Sequence, residues 1–319
     1  MSARRLLVLP MFVGVLMTCP ASAVQQTPAA RFKSSVEVVS VSAVVRDRKG
    51  RFVRDLSQRD FVVDDAGQSK QILDFRAESD GPVRLGLLLD ASGSMRVGTN
   101  VVDGRQAAQH IFSALRLGDE VALYSFDTKL DLIRGFTTDL ASLDASLDTM
   151  NKPFGQTSLH DAIAEAAEAV AAHGRGAGRI AQRAALVVIT DGVDTASLAT
   201  TRQVAAAASS IDVPVYVVAV MSPIDDPKVD DKPAFDAPAL TQLARGTGGE
   251  LFTSTAPAHA SAAAKQIVDE LRHQYVIAFE ASKDGGWRSL DVRARNPKLT
   301  VRARTGYAAG ASGRPTGEM

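Results

Sequence analysis

The stretch Leu87-Leu88-Leu89-Asp90-Ala91-Ser92-Gly93-Ser94-Met95 decides the reading of this chain. An apolar run ends abruptly in a carboxylate, and hydroxyls follow at every second position. A continuous apolar run of this kind reads as a strand buried on both faces, as at the centre of a parallel sheet. The turn after it offers only oxygen donors, which hard divalent cations prefer. A loop at the carboxyl end of a central strand is also where open α/β sheets build their sites. The expectation is a metal site on a strand end.

Outward from this stretch, strands and helices alternate from residue 84 to about residue 254. Strands are predicted at 85–90, 121–126, 130–136, 185–190, 215–220 and 250–252, and helices at 101–115, 140–150, 159–172, 201–210, 239–245 and 260–274. Such alternation implies parallel crossovers and a sheet covered on both faces. Asp127-Thr128-Lys129 is too short for a crossover, so the strand after it turns antiparallel. The predicted fold is doubly wound α/β: a mostly parallel six-stranded sheet with one antiparallel edge strand, plus a small β unit made from both flanks.

The flanks carry a different pattern. Residues 36–81 form an N-terminal β segment, with Val36, Val38, Val39, Val41, Ala43 and Val45 β-favouring and partly alternating. Arg46-Asp47-Arg48-Lys49-Gly50 reads as a turn, and Asp64-Asp65-Ala66-Gly67 as the turn between strands at 61–63 and 72–75. Residues 276–307 form a C-terminal β segment that continues from Tyr275. After an Asp284-Gly285-Gly286 turn come alternating strands at 290–295 and 299–304, whose outward residues are mostly Arg. Neither piece has the bulk for its own core, so the two are expected to pair beside an α/β domain spanning 82–275. Residues 308–319 read as a disordered tail.

Composition excludes several classes. Lys plus Arg and Asp plus Glu both number 36, so there is no basic surplus to attract nucleic acid or an anionic membrane. Arg4 and Arg5 precede an apolar run and Ala21-Ser22-Ala23 follows it, the pattern of a secretory signal peptide over residues 1–23. A polar leader, 24–35, comes next. The apolar run is shorter than the roughly 20 residues of a transmembrane helix, and no later segment reaches that length. The expectation is an exported protein, periplasmic or secreted, with no transmembrane segment in the mature chain. Its single cysteine, Cys19, falls inside the signal, so no disulfide is expected. The competing reading is a lipoprotein acylated at Cys19: Leu16 stands where a lipobox wants it, but Thr18 is a poor neighbour.

Two further oxygen-rich turns complete the site. Val187-Val188-Ile189-Thr190-Asp191-Gly192 is a second buried strand ending in a carboxylate, and Phe154-Gly155-Gln156-Thr157-Ser158 precedes a helix. If the two strands are parallel neighbours, both acids meet at the topological switch point. Asp90, Ser92, Ser94, Thr157 and Asp191 then form a five-oxygen shell. Two carboxylates balance a divalent charge, and the open position would take water or an outside ligand. Mg²⁺ or Mn²⁺ is the expected ion, and an Asp or Glu carboxylate of a partner protein the expected outside ligand. Met95 and His160 are candidates for the rim. So are Asp225, Asp226, Asp230 and Asp231 in the proline-containing loop 222–236, where Ca²⁺ is a second expectation. A solvated acidic loop is the competing reading.

Asp90-Ala-Ser92-Gly-Ser94, Gly155-Gln-Thr157 and Thr190-Asp191-Gly192, in this order and context, resemble the metal-ion-dependent adhesion site (MIDAS) of von Willebrand factor type A domains. The resemblance covers roughly residues 82–275. The flanks resemble a bacterial group of secreted proteins related to that family, through Val45-Arg46-Asp47, Gly50, Asp60-Phe61, Phe75, Tyr275 and Gly306-Tyr307. The resemblance implies a metal-bridged protein-binding module that is not an enzyme.

Other readings compete. The three turns on their own read as helix caps and loop hydrogen bonds. An apolar strand ending in Asp also resembles the nucleophile strand of haloacid-dehalogenase-like phosphatases, but Ser92 stands where their general acid belongs. No Gly-x-Ser-x-Gly is present. His173-Gly174-Arg175-Gly176-Ala177-Gly178-Arg179 follows a helix and leads into a strand, the reverse of a phosphate loop, and reads as a basic connection. Trp287 reads as packing. An envelope structural protein using another surface of the fold is the alternative function.

Overall fold

The computed structural model describes residues 37–77, 81–150, 152–175, 183–221 and 236–310. The predicted signal peptide and leader, Cys19, the acidic positions 225–231 and most of the predicted tail lie outside the described residues. The N-terminal part forms β1 (Val38–Arg46), β2 (Phe61–Asp65), β3 (Gln68–Lys70) and β4 (Ile72–Ala77). The middle runs β5 (Val83–Asp90), α1 (Asn100–Ala114), β6 (Glu120–Phe126), β7 (Leu130–Thr137), α2 (Ala141–Asp148), α3 (Leu159–Arg175), β8 (Arg183–Thr190) and α4 (Thr201–Ser210). It continues through β9 (Val215–Val220), α5 (Ala237–Thr247), β10 (Leu251–Ser254) and α6 (Pro257–Arg272). The chain closes with β11 (Gln274–Glu280), β12 (Gly286–Ala294), β13 (Thr300–Ala303) and β14 (Gly306–Ala309).

The central sheet has strand order β10-β9-β8-β5-β6-β7. Every neighbouring pair is parallel except β6 and β7, joined by the Asp127-Thr128-Lys129 turn. The chain leaves β5 toward β6 and later returns on its other side through β8, so the switch point falls between β5 and β8. All eight residues of β5 are buried, because successive side chains enter two different cores. Leu85, Leu87 and Leu89 face α1 and α6, while Leu88 faces α3, α4 and α5. Gly86 lets α3 approach: a Cβ there would stand 2.5 Å from the Val170 side chain. The fold class is as the sequence predicts.

The flanks pair, but more intimately than two consecutive hairpins. They make two four-stranded sheets, β13-β1-β11-β4 and β14-β12-β2-β3, each woven from both ends of the chain. Val41, Phe61, Val63, Tyr275, Ile277 and Phe279 fill the core between them. Four expectations are corrected here. Asp64 and Asp65 belong to β2, and the turn is Ala66-Gly67, because a short unpredicted strand, β3, pairs back onto β2. Strands β12 and β13 lie in different sheets. Ala308 and Ala309 continue β14, so the tail begins later than predicted. Residue 274 lies in β11, and α6 starts at Pro257 and ends at Arg272.

The arginines of the last strands are the largest departure. The alternating pattern places Arg302 and Arg304 outward into solvent, yet both are turned toward the α/β layer. Arg302 pairs with Glu250 and with Glu270 of α6, and its Nε donates to the Gly248 carbonyl at 3.1 Å. Glu270 is fully buried and also accepts Arg46 of β1. Arg304 donates to the carbonyls of Ser209 and Ser40. The face of the β unit that alternation assigns to water is covered by helices, and these charges make the joint. At the amino end of the central sheet a second buried pair, Arg272 with Asp119 at 2.5 Å, fixes the end of α6.

Candidate metal centre

Three loops leave the carboxyl edge of the central sheet and converge. Asp90 ends β5, and Asp191 follows the last residue of β8, its parallel neighbour. Ser92 and Ser94 sit in the turn around Gly93–Arg96, and their Oγ atoms stand 2.9 Å apart. Thr157 lies in the loop before α3. Backbone bonds lock that loop to the first: Phe154 N–H donates to the Ala91 carbonyl at 2.9 Å, and Gly93 N–H to the Gly155 carbonyl at 3.0 Å. The approach is so close that a Cβ on Gly93 would lie 2.9 Å from the Gly155 oxygen, which is why glycine stands there. The third loop joins through Thr157, whose carbonyl accepts the N–H groups of Thr195 and Ala196, both at 2.9 Å.

The carboxylates are buried in an arrangement that favours a cation. Asp90 is 4% exposed and Asp191 9%. One Asp90 oxygen accepts Ser92 N–H at 2.8 Å and the other accepts the Thr190 hydroxyl at 2.6 Å. Asp90 makes no ion pair among the described residues. Burial first, and then the neighbouring Asp191 carboxylate, push Asp90 up to about 7, against those two hydrogen bonds. Ser92 and Thr157 are buried and Ser94 is partly so. Two acids and three hydroxyls are thus gathered at one strand edge. Among the described residues no three His, Cys, Asp or Glu side chains form a metal cluster. The donors here are oxygens only, a set that suits Mg²⁺ or Mn²⁺ better than a softer ion.

The predicted rim fares differently. Met95 is buried and lines a small cavity of about 30 Å³ with Leu89, Val101, Met150 and Ile189, so it plugs the core beneath the site. Both ring nitrogens of His160 are engaged, Nδ1 with Asp194 at 3.0 Å and Nε2 with Thr201 at 3.1 Å. His160 therefore braces the loop after β8 rather than facing a partner. Asp225, Asp226, Asp230 and Asp231 lie outside the described residues. Asp236, grouped with them in the sequence, caps α5 by accepting Ala239 N–H at 3.0 Å. His173 stacks on Phe136 with ring centroids 4.1 Å apart, and Trp287 lies against Gly306. Both are packing residues.

Sequence reasoning missed the residues that hold the loops. Thr190 takes Asp90 with its hydroxyl while accepting Gly192 N–H at 2.9 Å. Asp194 accepts Leu159 N–H at the start of α3 and the Ser197 hydroxyl, and Asp161 accepts Leu198 and Ala199 N–H. Thr190 stood inside a quoted motif. Asp161 and Asp194 carry only the general signal of short acids near a helix start.

The fold and this edge define a doubly wound α/β domain with an oxygen-lined site at its switch point. Residues 85–193 match the family model described as the von Willebrand factor type A domain. Among solved structures the chain is similar to a von Willebrand factor type A protein from Catenulispora acidiphila, at 11% identity and TM-score 0.48, over 87% of this chain and 74% of that one. It is similar to the conserved hypothetical protein BatB from Bacteroides thetaiotaomicron, at 17% identity and TM-score 0.47, over 59% of this chain and 98% of that one. It is also similar to proximal thread matrix protein 1 from the mussel byssus, in a structure described as having a zinc-occupied MIDAS motif. That likeness has 15% identity and TM-score 0.49, over 61% of this chain and 49% of that one. No curated protein matches the chain.

Proposed function

We propose that this chain is an exported, metal-dependent protein-binding module. The family of residues 85–193 supports a protein-interaction role. The observation that carries the finer reading is the juxtaposition of Asp90 and Asp191, buried side by side with no ion pair on Asp90 and three hydroxyls beside them. Asp90, Ser92, Ser94, Thr157 and Asp191 would hold Mg²⁺ or Mn²⁺, directly or through water. When bound, the ion supplies a Lewis-acidic position for a partner's Asp or Glu carboxylate. The chain's own residues do the rest: Thr190 and Ser92 orient Asp90, and the Gly93–Gly155 contact holds the hydroxyl loops together. No bond is made or broken in this reading. The signal-like residues 1–23 support export, and no helix among the described residues is long and apolar enough to cross a membrane.

Titration calorimetry with Mg²⁺ and Mn²⁺ tests the proposal. The wild type should bind one ion, and Asp90→Ala and Asp191→Ala should remove binding while the circular dichroism spectrum is kept. No heat of binding to the folded wild type, for either ion, overturns it. A pull-down from envelope extract, run with Mg²⁺ and with EDTA, separates it from a structural role: partners that survive EDTA would favour the latter.

A further inference from the structure

Thr157 differs from the other hydroxyl residues of the candidate site in what holds it. Ser92 and Ser94 share one turn after β5, and their Oγ atoms bond each other at 2.9 Å. Thr157 reaches the site from a separate loop, and the loop that follows Asp191 engages its backbone. Its N–H donates to Oγ1 of Thr195 at 2.9 Å. Its carbonyl accepts the N–H groups of Thr195 and Ala196, both at 2.9 Å. Its hydroxyl makes no hydrogen bond among the described residues, although Thr157 is only 2% exposed. Both backbone polar groups of Thr157 therefore belong to the loop after β8, and the hydroxyl is left as its one buried group without a partner.

The loop after β8 thus carries one donor of the site, Asp191, and positions another that it does not contain. Asp191 Oδ1 accepts Val193 N–H at 3.2 Å, which ties the carboxylate to the same loop. Asp194 extends the grip by accepting Leu159 N–H at 2.9 Å. Thr195 itself is exposed, so its tie to Thr157 is made by hydrogen bonds rather than by packing. Reciprocal bonds between Thr157 and Thr195 leave the Thr157 hydroxyl little room to shift relative to Asp191. Such rigidity bears on the choice of ion. Mg²⁺ demands near-ideal octahedral geometry at about 2.0–2.1 Å, whereas Ca²⁺ takes oxygens at about 2.3–2.6 Å in flexible arrangements. A donor that cannot move favours the ion with the stricter geometry.

Resting on the metal-dependent reading above, we infer that Thr195 is a positioning residue: by holding Thr157 in place against Asp191, it gives the site a preference for Mg²⁺ over Ca²⁺. Thr195 touches no ion in this inference. It acts through the Thr157 backbone alone.

Titration calorimetry of the whole chain with Mg²⁺ and with Ca²⁺ tests it, in wild type, Thr195→Val and Thr195→Ser. Heat that persists in Asp90→Ala belongs to other parts of the chain and is subtracted. The wild type should bind Mg²⁺ more tightly than Ca²⁺. Thr195→Val keeps the shape and the backbone bond to Thr157 but loses the acceptor for Thr157 N–H, and at an exposed position it opens no cavity. It should weaken Mg²⁺ binding about tenfold, as for one lost hydrogen bond, and Ca²⁺ binding by less than about twofold. Thr195→Ser retains the acceptor and should restore the wild-type ratio of the two affinities. Gly86→Ala serves as the control, because its methyl crowds Val170 and lowers the melting temperature away from the strand end. It should leave the ratio unchanged, which separates positioning from a general loss of stability. The inference is wrong, and the metal-dependent reading stands, if the wild type binds Ca²⁺ as tightly as Mg²⁺ or Thr195→Val keeps the ratio. The same holds if Thr195→Ser fails to restore the ratio or Gly86→Ala shifts it equally. If the folded wild type binds neither ion beyond the Asp90→Ala background, the metal-dependent reading itself falls.

Discussion

Replacing Asp90 with Asn should make the metal-free protein more stable, although it removes a ligand from the candidate site. Asp90 is buried beside a second carboxylate, which raises it from 3.8 to about 7. That displacement corresponds to a cost of about 4 kcal/mol for ionising Asp90 in the folded chain. The sign follows from linkage. Below the unfolded value near 4 both states are protonated and nothing is lost. Between about 4 and 7 the unfolded chain ionises while the folded one resists, so stability falls as pH rises. Above about 7 the full penalty is present. Asn carries no charge and keeps the acceptor for Ser92 N–H, but it meets the Thr190 hydroxyl with an amide, a loss of about 1 kcal/mol. The net expectation in EDTA at pH 7.5 is a gain of about 2–3 kcal/mol, a melting temperature higher by about 5–10 °C. The assay is thermal unfolding of wild type and Asp90→Asn in EDTA from pH 5 to 8, repeated with Mg²⁺. The wild type should decline with pH in EDTA, Asp90→Asn should not, and Mg²⁺ at a hundredfold excess over Kd should return about 2.7 kcal/mol to the wild type alone. An Asp90→Asn variant that is less stable than wild type in EDTA, with no difference in pH slope, would refute the claim that burial and the neighbouring Asp191 oppose ionisation of Asp90.

Glu270→Ala leaves Arg46 and Arg302 without their buried partner and should destabilise by about 3–5 kcal/mol in urea unfolding; a loss under 1 kcal/mol would mean the joint is wet. Gly93→Ala places a methyl against the Gly155 carbonyl and should weaken Mn²⁺ affinity by calorimetry about tenfold, or about 1.4 kcal/mol, with far less effect on melting. Gly86→Val overpacks the contact with Val170 and should cost about 1–3 kcal/mol or more in stability while the site loops keep their order. Burial pushes Asp65 up, but hydrogen bonds from Ser282, Arg288, Lys70 and Tyr307 outweigh it and hold it below the usual carboxylate range. Its contribution is therefore present above pH 4 and lost as pH falls through the folded value, so Asp65→Asn should flatten the acid limb of the stability curve.

The central sheet was legible because its strands are local objects with a strong signal. Residues 85–89 and 185–189 are apolar throughout, as strands buried on both faces are, and three residues between β6 and β7 permit one direction of travel. The shared edge of the two strand-end carboxylates was legible for a related reason. A strand that ends in a carboxylate fixes where that carboxylate lies, since strand ends share one sheet edge. The residues that hold the donors were not legible. Asp161 and Asp194 act on backbone groups more than 30 residues away, and nothing near them in the chain marks their targets.

By itself, then, the sequence determined the doubly wound sheet, the antiparallel edge strand and the identity of five oxygen-bearing residues at two strand ends and one helix start. Periodicity and turn length act within a few residues and survive in any context. Only the tertiary structure decided which side of each flank meets water. Alternation in β12 and β13 marks two faces without saying what covers them. Packing against α6 and α4 turned Arg302 and Arg304 inward, where Glu250 and Glu270 meet Arg302 and the carbonyls of Ser209 and Ser40 accept Arg304. Likewise, Met95 and His160 became part of the support beneath the site.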